Sequence, residues 1–102
     1  MSQLVTVSTH VLDVATGQPA AGLRVTLGST TATTDPNGRI ADLTHGGVNP
    51  GMYRMLFDVG AYFSEAPHLF QTVSYELQLD EARHYHVPLL ISPYSCTSYR
   101  GT

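Results

Sequence analysis

The chain has 102 residues, enough for one domain with one modest core, yet only 13% of them are Asp, Glu, Lys or Arg, roughly half of the usual ~25%. The five cations are all arginine (Arg24, Arg39, Arg54, Arg83 and Arg100), and the formal net charge is -3, which argues against the basic face a nucleic-acid binder needs. A 42% hydrophobic content argues against disorder, and so uncharged a surface points to burial of part of it in an oligomer.

Leu4 to Leu12 alternates and is rich in β-branched residues. This predicts a strand with Val5, Val7, Thr9 and Val11 on one face and Leu4, Thr6, Ser8, His10 and Leu12 on the other. Thr16-Gly17-Gln18-Pro19 signals a turn. Leu23, Val25 and Leu27 share one face of a second strand, and the Thr-rich segment from Gly28 to Thr34 is a short strand without an apolar pattern. Asp35-Pro36-Asn37-Gly38 is a tight turn, because Pro presets φ and Asn-Gly tolerates positive φ. Arg39-Ile40 follow it, and Asn49-Pro50-Gly51 marks another break.

Met52 to Val59 reads as a strand with Tyr53, Met55 and Phe57 on one face. Gly60 to Ala66 reads as one short helix closed by Pro67. Val73, Tyr75, Leu77 and Leu79 form a half-buried strand; Tyr85 to Ile91 is a further one, broken at Ser92-Pro93; Tyr94 to Arg100 is the last. Seven or so short strands with regular turn signals predict an all-β antiparallel sandwich. No repeat or linker interrupts residues 1–102, which read as a single domain. No apolar run approaches the roughly 20 residues of a membrane span. The N-terminus lacks the pattern of a signal peptide. One cysteine, Cys96, cannot close an intrachain disulfide, which fits a reducing, cytoplasmic setting.

His84 and His86 are two apart on a strand, so both imidazoles project to one side. With His10 they offer three nitrogen ligands, but no Cys or carboxylate sits at ligand spacing, and a polar face is the simpler reading. Tyr85, Val87, Leu89 and Ile91 make the better core face. His84, His86, Pro88 and Leu90 therefore look outward, as His10 does beside Leu12. Faces mixing polar and apolar groups suit a subunit contact or a wet cleft. Arg39, in isolation, is an ordinary residue after a turn. Tyr99-Arg100-Gly101-Thr102 would be a frayed tail, except that it extends a strand and carries an aromatic, a cation and a hydroxyl. There is no Gly-x-Ser-x-Gly elbow and no glycine-rich phosphate loop, and Cys96 reads as core-facing.

Four segments together carry a resemblance. Ser8-Thr9-His10-Val11-Leu12-Asp13 with Thr16-Gly17-Gln18-Pro19-Ala20, Thr34-Asp35-Pro36-Asn37-Gly38-Arg39, His84-Tyr85-His86-Val87-Pro88-Leu89-Leu90 with Ser92-Pro93-Tyr94-Ser95, and terminal Tyr99-Arg100-Gly101-Thr102 resemble the motifs of the transthyretin-like 5-hydroxyisourate hydrolases. The resemblance runs nearly end to end, and its specific parts are the His-Tyr-His segment and the terminal tetrapeptide. It implies an eight-stranded prealbumin-like sandwich with one short helix and no cofactor. It implies a homotetramer built as a dimer of dimers, with active sites in the channel between dimers, and no nucleic-acid or membrane partner. The implied reaction is hydrolytic ring opening of 5-hydroxyisourate to 2-oxo-4-hydroxy-4-carboxy-5-ureidoimidazoline in urate breakdown.

By the same resemblance His10, Arg39 and His86 are catalytic, and Tyr99, Arg100, Gly101 and Thr102 bind substrate. Hydrolysis of a cyclic amide needs an activated water, a stabilised oxyanion and a proton for the leaving nitrogen. Histidine titrates near neutrality, so either His86 or His10 activates water while the other orients it or the substrate. Arginine offers a permanently charged fork to carbonyl oxygens, which gives Arg39 the oxyanion and Arg100 the pocket. Three departures stand out: Thr102 where the family usually has Ser, Cys96 for a usual Tyr, and a shortened Gly28–Thr33 segment that trims a hairpin. The competing reading is a non-catalytic, transthyretin-like binding sandwich.

Overall fold

The computed structural model describes residues 3–102; the reading of the N-terminus as lacking a signal peptide falls partly on Met1 and Ser2, which lie outside them. In chain order the strands are β1 (Thr6–Asp13), β2 (Gln18–Pro19), β3 (Arg24–Leu27), β4 (Thr30–Thr33), β5 (Arg39–Ile40), β6 (Gly51–Phe57), β7 (Val73–Leu79), β8 (His84–His86), β9 (Leu89–Ser92) and β10 (Ser95–Ser98), with helix α1 (Val59–Phe63) between β6 and β7. They form two sheets. One runs β4-β3-β6-β7. The other is centred on β1, with β2 and β5 along one edge and β8 and β9 along the other, and β10 outside β9. Among the described residues no helix is long and apolar enough to cross a membrane.

The alternation expected of β1 holds: Val7, Thr9, Val11 and Asp13 are buried, while Thr6, Ser8, His10 and Leu12 face the other way. Val7, Val11, Leu89 and Ile91 from this sheet meet Val25, Leu27, Met55 and Phe57 from the other. Asp13 is the buried carboxylate of this core; its oxygens accept from Ala15 N at 3.0 Å and Tyr62 Oη at 3.1 Å, which ties α1 to β1.

The structure departs from the sequence reading in four places. β1 runs parallel to β8 and β9, whereas its pairings with β2 and β5, and every other pairing, are antiparallel. A period of two reports which face a side chain takes, not which way its neighbour runs. The strand expected over Tyr85–Ile91 is broken between β8 and β9, because Pro88 has no N–H for the ladder. Register is nonetheless conserved across the break, with Ser8 opposite His86 and Val11 opposite Leu89, and Thr9 Oγ1 donates to Val87 O at 2.6 Å within it. The helix lies over Val59–Phe63, capped by the Asp58 carboxylate. It stops before Pro67 because Ser64 takes a left-handed φ of 56°. The last strand ends at Ser98. The Thr-rich segment does form a strand, β4, joined to β3 by the two-residue turn Gly28-Ser29.

The Asp35–Gly38 turn is built as expected and delivers Arg39 to β1. Gly38 N donates to Asp35 O at 2.8 Å, and Asp35 Oδ1 accepts from Asn37 N at 2.8 Å and Arg39 N at 2.9 Å. Gly38 has φ 75°, and a Cβ there would stand 2.5 Å from the carbonyl oxygen of Val11. Gly38→Ala is therefore expected to cost about 2–3 kcal/mol through left-handed strain and that collision, read as a lower urea midpoint at unchanged slope.

Candidate active site

The two edges of β1 carry different partners. Even-numbered residues bond to the β8 side, with Thr6 N donating to Arg83 O and Val87 N donating to Ser8 O; odd-numbered residues bond to the β5 side, with Val11 N donating to Gly38 O and Leu43 N donating to Val7 O. This register sets His10 opposite Arg39 and Ser8 opposite His86. The outward face of β1 thus gathers residues that stand far apart in sequence. They border a cleft of about 350 Å³ whose lining includes Ser8, Asp35, Arg39, Ile40, His84 and His86. His10 lies two residues beyond Ser8 on the same face, half-buried.

The hydroxyls of β1 organise the histidines. Ser8 Oγ lies 2.8 Å from His84 Nε2 and 2.8 Å from His86 Nδ1, and Thr6 Oγ1 lies 2.7 Å from His84 Nδ1. His86 therefore keeps Nε2 for chemistry. Its imidazole is pushed below the ordinary 6.5, first by burial, then by the Arg39 cation, then by His10 and His84. The ring is accordingly uncharged at neutral pH and able to accept a proton. Among the described residues no carboxylate lies within ion-pair distance of Arg39; the ion pair found is Arg83–Glu81 at 3.9 Å. The Arg39 guanidinium is exposed and keeps its donors for a ligand.

The C-terminal tail joins the site through Gly101. Its N–H donates to His86 O at 2.7 Å, and a Cβ at this position would stand 2.6 Å from His86 Cδ2. Only glycine lets the tail lie against the imidazole. Thr102 follows and is exposed. Tyr99 and Arg100 lie elsewhere: with Tyr75, Leu77, Tyr85 and Val87 they line an apolar cavity of about 290 Å³ where β7 faces β8 and β10. The structure thus brings His10, Arg39, His86 and Gly101 together, while Tyr99 and Arg100 line the second cavity.

Thr6, Ser8 and His84 were not singled out by the sequence as members of this site, apart from His84 as a metal ligand. Strand alternation places all three on the correct faces, but without the parallel register nothing put β1 beside β8. Among the described residues no group of three His, Cys, Asp or Glu side chains is placed to hold a metal ion. Cys96 is half-buried against the core, and burial raises its thiol above the ordinary value.

Comparison with known proteins gives a consistent result. The model of the HIUase/Transthyretin family matches residues 7–101. The chain is 40% identical to a 5-hydroxyisourate hydrolase of Mesorhizobium japonicum over 93% of this chain and 90% of that one. It superposes on the Klebsiella pneumoniae 5-hydroxyisourate hydrolase with a TM-score of 0.89 and 33% identity, covering 100% of this chain and 97% of that one. It is also similar to sea bream transthyretin in complex with thyroxine, with a TM-score of 0.85, 25% identity and 94% of each chain covered. The architecture is therefore the prealbumin-like sandwich that the sequence suggested.

Because the folded-state pKa of His86 is depressed, the stability linked to its neutral form is present above 6.5 and is lost as pH falls through the folded value. A ¹⁵N-detected titration should place the His86 midpoint below 6.5, and Arg39→Gln should move it upward. A midpoint unmoved by that substitution would show that Arg39 does not act on the ring.

Proposed function

The chain belongs to the HIUase/Transthyretin family, and we propose that its 102 residues act as one 5-hydroxyisourate hydrolase domain that opens a ring of 5-hydroxyisourate to 2-oxo-4-hydroxy-4-carboxy-5-ureidoimidazoline. The observation that carries this reading is the convergence of His10, Arg39 and His86 on the outward face around β1, with Gly101 packed against the His86 ring. The hydrolases of Mesorhizobium japonicum and Klebsiella pneumoniae, matched over nearly their whole lengths, support the same activity.

In this reading His86 Nε2 takes a proton from water. Burial and the neighbouring cation keep the ring neutral and ready, and Ser8 holds its other nitrogen. Arg39 receives the oxyanion that forms when hydroxide adds to the substrate carbonyl; its donors are unpaired before substrate arrives. His10 orients the water or the substrate from the same face. Of the terminal residues, Gly101 and Thr102 border the substrate, and Tyr99 and Arg100 line the cavity where β7 faces β8 and β10.

The assembly we propose is a homotetramer, a dimer of dimers with sites at the interface between dimers, acting in the cytoplasm. The face of β1 and β9 that holds Thr6, Ser8, His10, Leu12 and Leu90 carries no carboxylate, so it can wall a water-filled channel against a second copy without stranding a negative charge, with His84 open to that water. β7 and β10 end their sheets with free backbone edges on the same side of the sandwich, which suits edge-to-edge pairing of two chains. The free Cys96 fits a reducing compartment.

The ultraviolet decay of freshly made 5-hydroxyisourate should be accelerated by the protein. His10→Ala, Arg39→Ala and His86→Ala should each lower that acceleration by about 100-fold or more, with the far-ultraviolet circular dichroism of a folded β protein retained. A transthyretin-like binding sandwich would leave the decay unaccelerated in every case. Deleting residues 99–102 should abolish activity without unfolding the sandwich, since the described core lies before Tyr99. Light scattering should give four chain masses, and a species of one chain mass would refute the interdimer site.

A further inference from the structure

The hydroxyl–imidazole chain on the outward face does more than hold one ring. Thr6 Oγ1, His84 Nδ1, His84 Nε2, Ser8 Oγ and His86 Nδ1 follow one another at 2.7, 2.8 and 2.8 Å between bonded partners. A serine hydroxyl has one proton. Placed between two ring nitrogens, Ser8 donates to one and accepts from the other, so the tautomers of His84 and His86 are not independent. When Ser8 donates to His84 Nε2, His86 carries its proton on Nδ1 and Nε2 is bare. When Ser8 donates to His86 Nδ1, the His86 proton sits on Nε2. The parallel register of β1 with β8 is what places one hydroxyl between two histidines that are two residues apart.

We propose that Thr6, His84 and Ser8 form a proton relay for His86, with His84 as the solvent-side station. This rests on the hydrolase reading above. As His86 Nε2 takes a proton from water, its Nδ1 proton passes to Ser8 Oγ and the Ser8 hydroxyl proton passes to His84 Nε2. One proton has then left the water and one positive charge has appeared on His84, while His86 is neutral and carries its proton on Nε2. That proton goes next to the leaving ring nitrogen. His84 Nε2 then returns its proton to Ser8, Ser8 returns its own to His86 Nδ1, and the starting tautomers are restored. No proton is gained or lost over the cycle.

The relay answers an electrostatic problem in the site. An imidazolium at position 86 would be half-buried and would lie beside the Arg39 cation, with His10 on the same face and Asp35 lining the same cleft. His84 is exposed, so water solvates the charge there. In this relay Ser8 and His84 are positioning residues that act through His86.

Ser8→Ala and His84→Ala are the variants that test this. In each, kcat for 5-hydroxyisourate should fall by at least about 10-fold with KM little changed. The dependence of kcat on the deuterium fraction of the solvent should change from curved (several protons in flight) to linear. Added imidazole should restore His84→Ala, whose gap opens to solvent, and should not restore Ser8→Ala. In ¹⁵N spectra the tautomers of His84 and His86 should be linked in the unsubstituted protein and independent in Ser8→Ala. Unchanged kcat and a linear isotope dependence in the unsubstituted protein would overturn the relay. If the unsubstituted protein fails to accelerate decay, the hydrolase reading falls by itself, and independent tautomers of the two rings would still refute the coupling.

Discussion

One strand carries the site because both of its backbone edges are used. The edge of β1 toward β5 brings the turn that delivers Arg39; the edge toward β8 brings the two histidines, and through His86 the C-terminal tail. The buried alternate residues of these strands and the tight turn before β5 hold the neighbours in register. The side chains that remain on the outward face need only the ordinary pleat to converge. A one-residue slip along either edge would turn His86 or Arg39 to the opposite face and dissolve the cleft.

Two glycines protect that arrangement at its closest approaches. Gly38 lets the turn before β5 press on the carbonyl of Val11, and Gly101 lets the tail rest on the imidazole of His86. In both places a side chain would have to occupy space already filled by a hydrogen-bonded backbone or by the ring itself. The low charge of the chain belongs to the same design. The outward face holds hydroxyls, imidazoles and leucines, and its cation, Arg39, has no partner carboxylate among the described residues. Electrostatic attraction there is reserved for what enters the cleft.

Much of this was legible before folding. The alternation of Val7, Thr9 and Val11 with Ser8 and His10 gave the faces of β1 correctly, and the Asp35-Pro36-Asn37-Gly38 turn placed Arg39 at a strand start. The motifs around His10, Arg39, His86 and the terminal tetrapeptide pointed to the family. What alternation cannot carry is direction and partnership. The parallel seam between β1 and β8 joins residues 78 positions apart, as in the bond from Ser8 to His86. Nothing local to Ser8 or Thr6 marks them as partners of a histidine. The split of β8 from β9 was missed for a related reason: Pro88 sits among good strand formers, and its missing N–H matters only once its neighbour is known. Tyr99 and Arg100 read as one motif with Gly101 and Thr102, yet β10 ends at Ser98, and the tail beyond it passes from the cavity beside β7 to the bridge with His86.

The parallel seam also sets when the site comes into being. Its hydroxyls lie on β1, the first strand, and the glycine that seats the imidazole lies beyond β10. On the ribosome β1 must wait, its parallel edge unfilled, until β8, β9 and Gly101 have emerged from the exit tunnel. The cleft is therefore completed late in synthesis, and a chain halted before Gly101 lacks the contact that seats the imidazole.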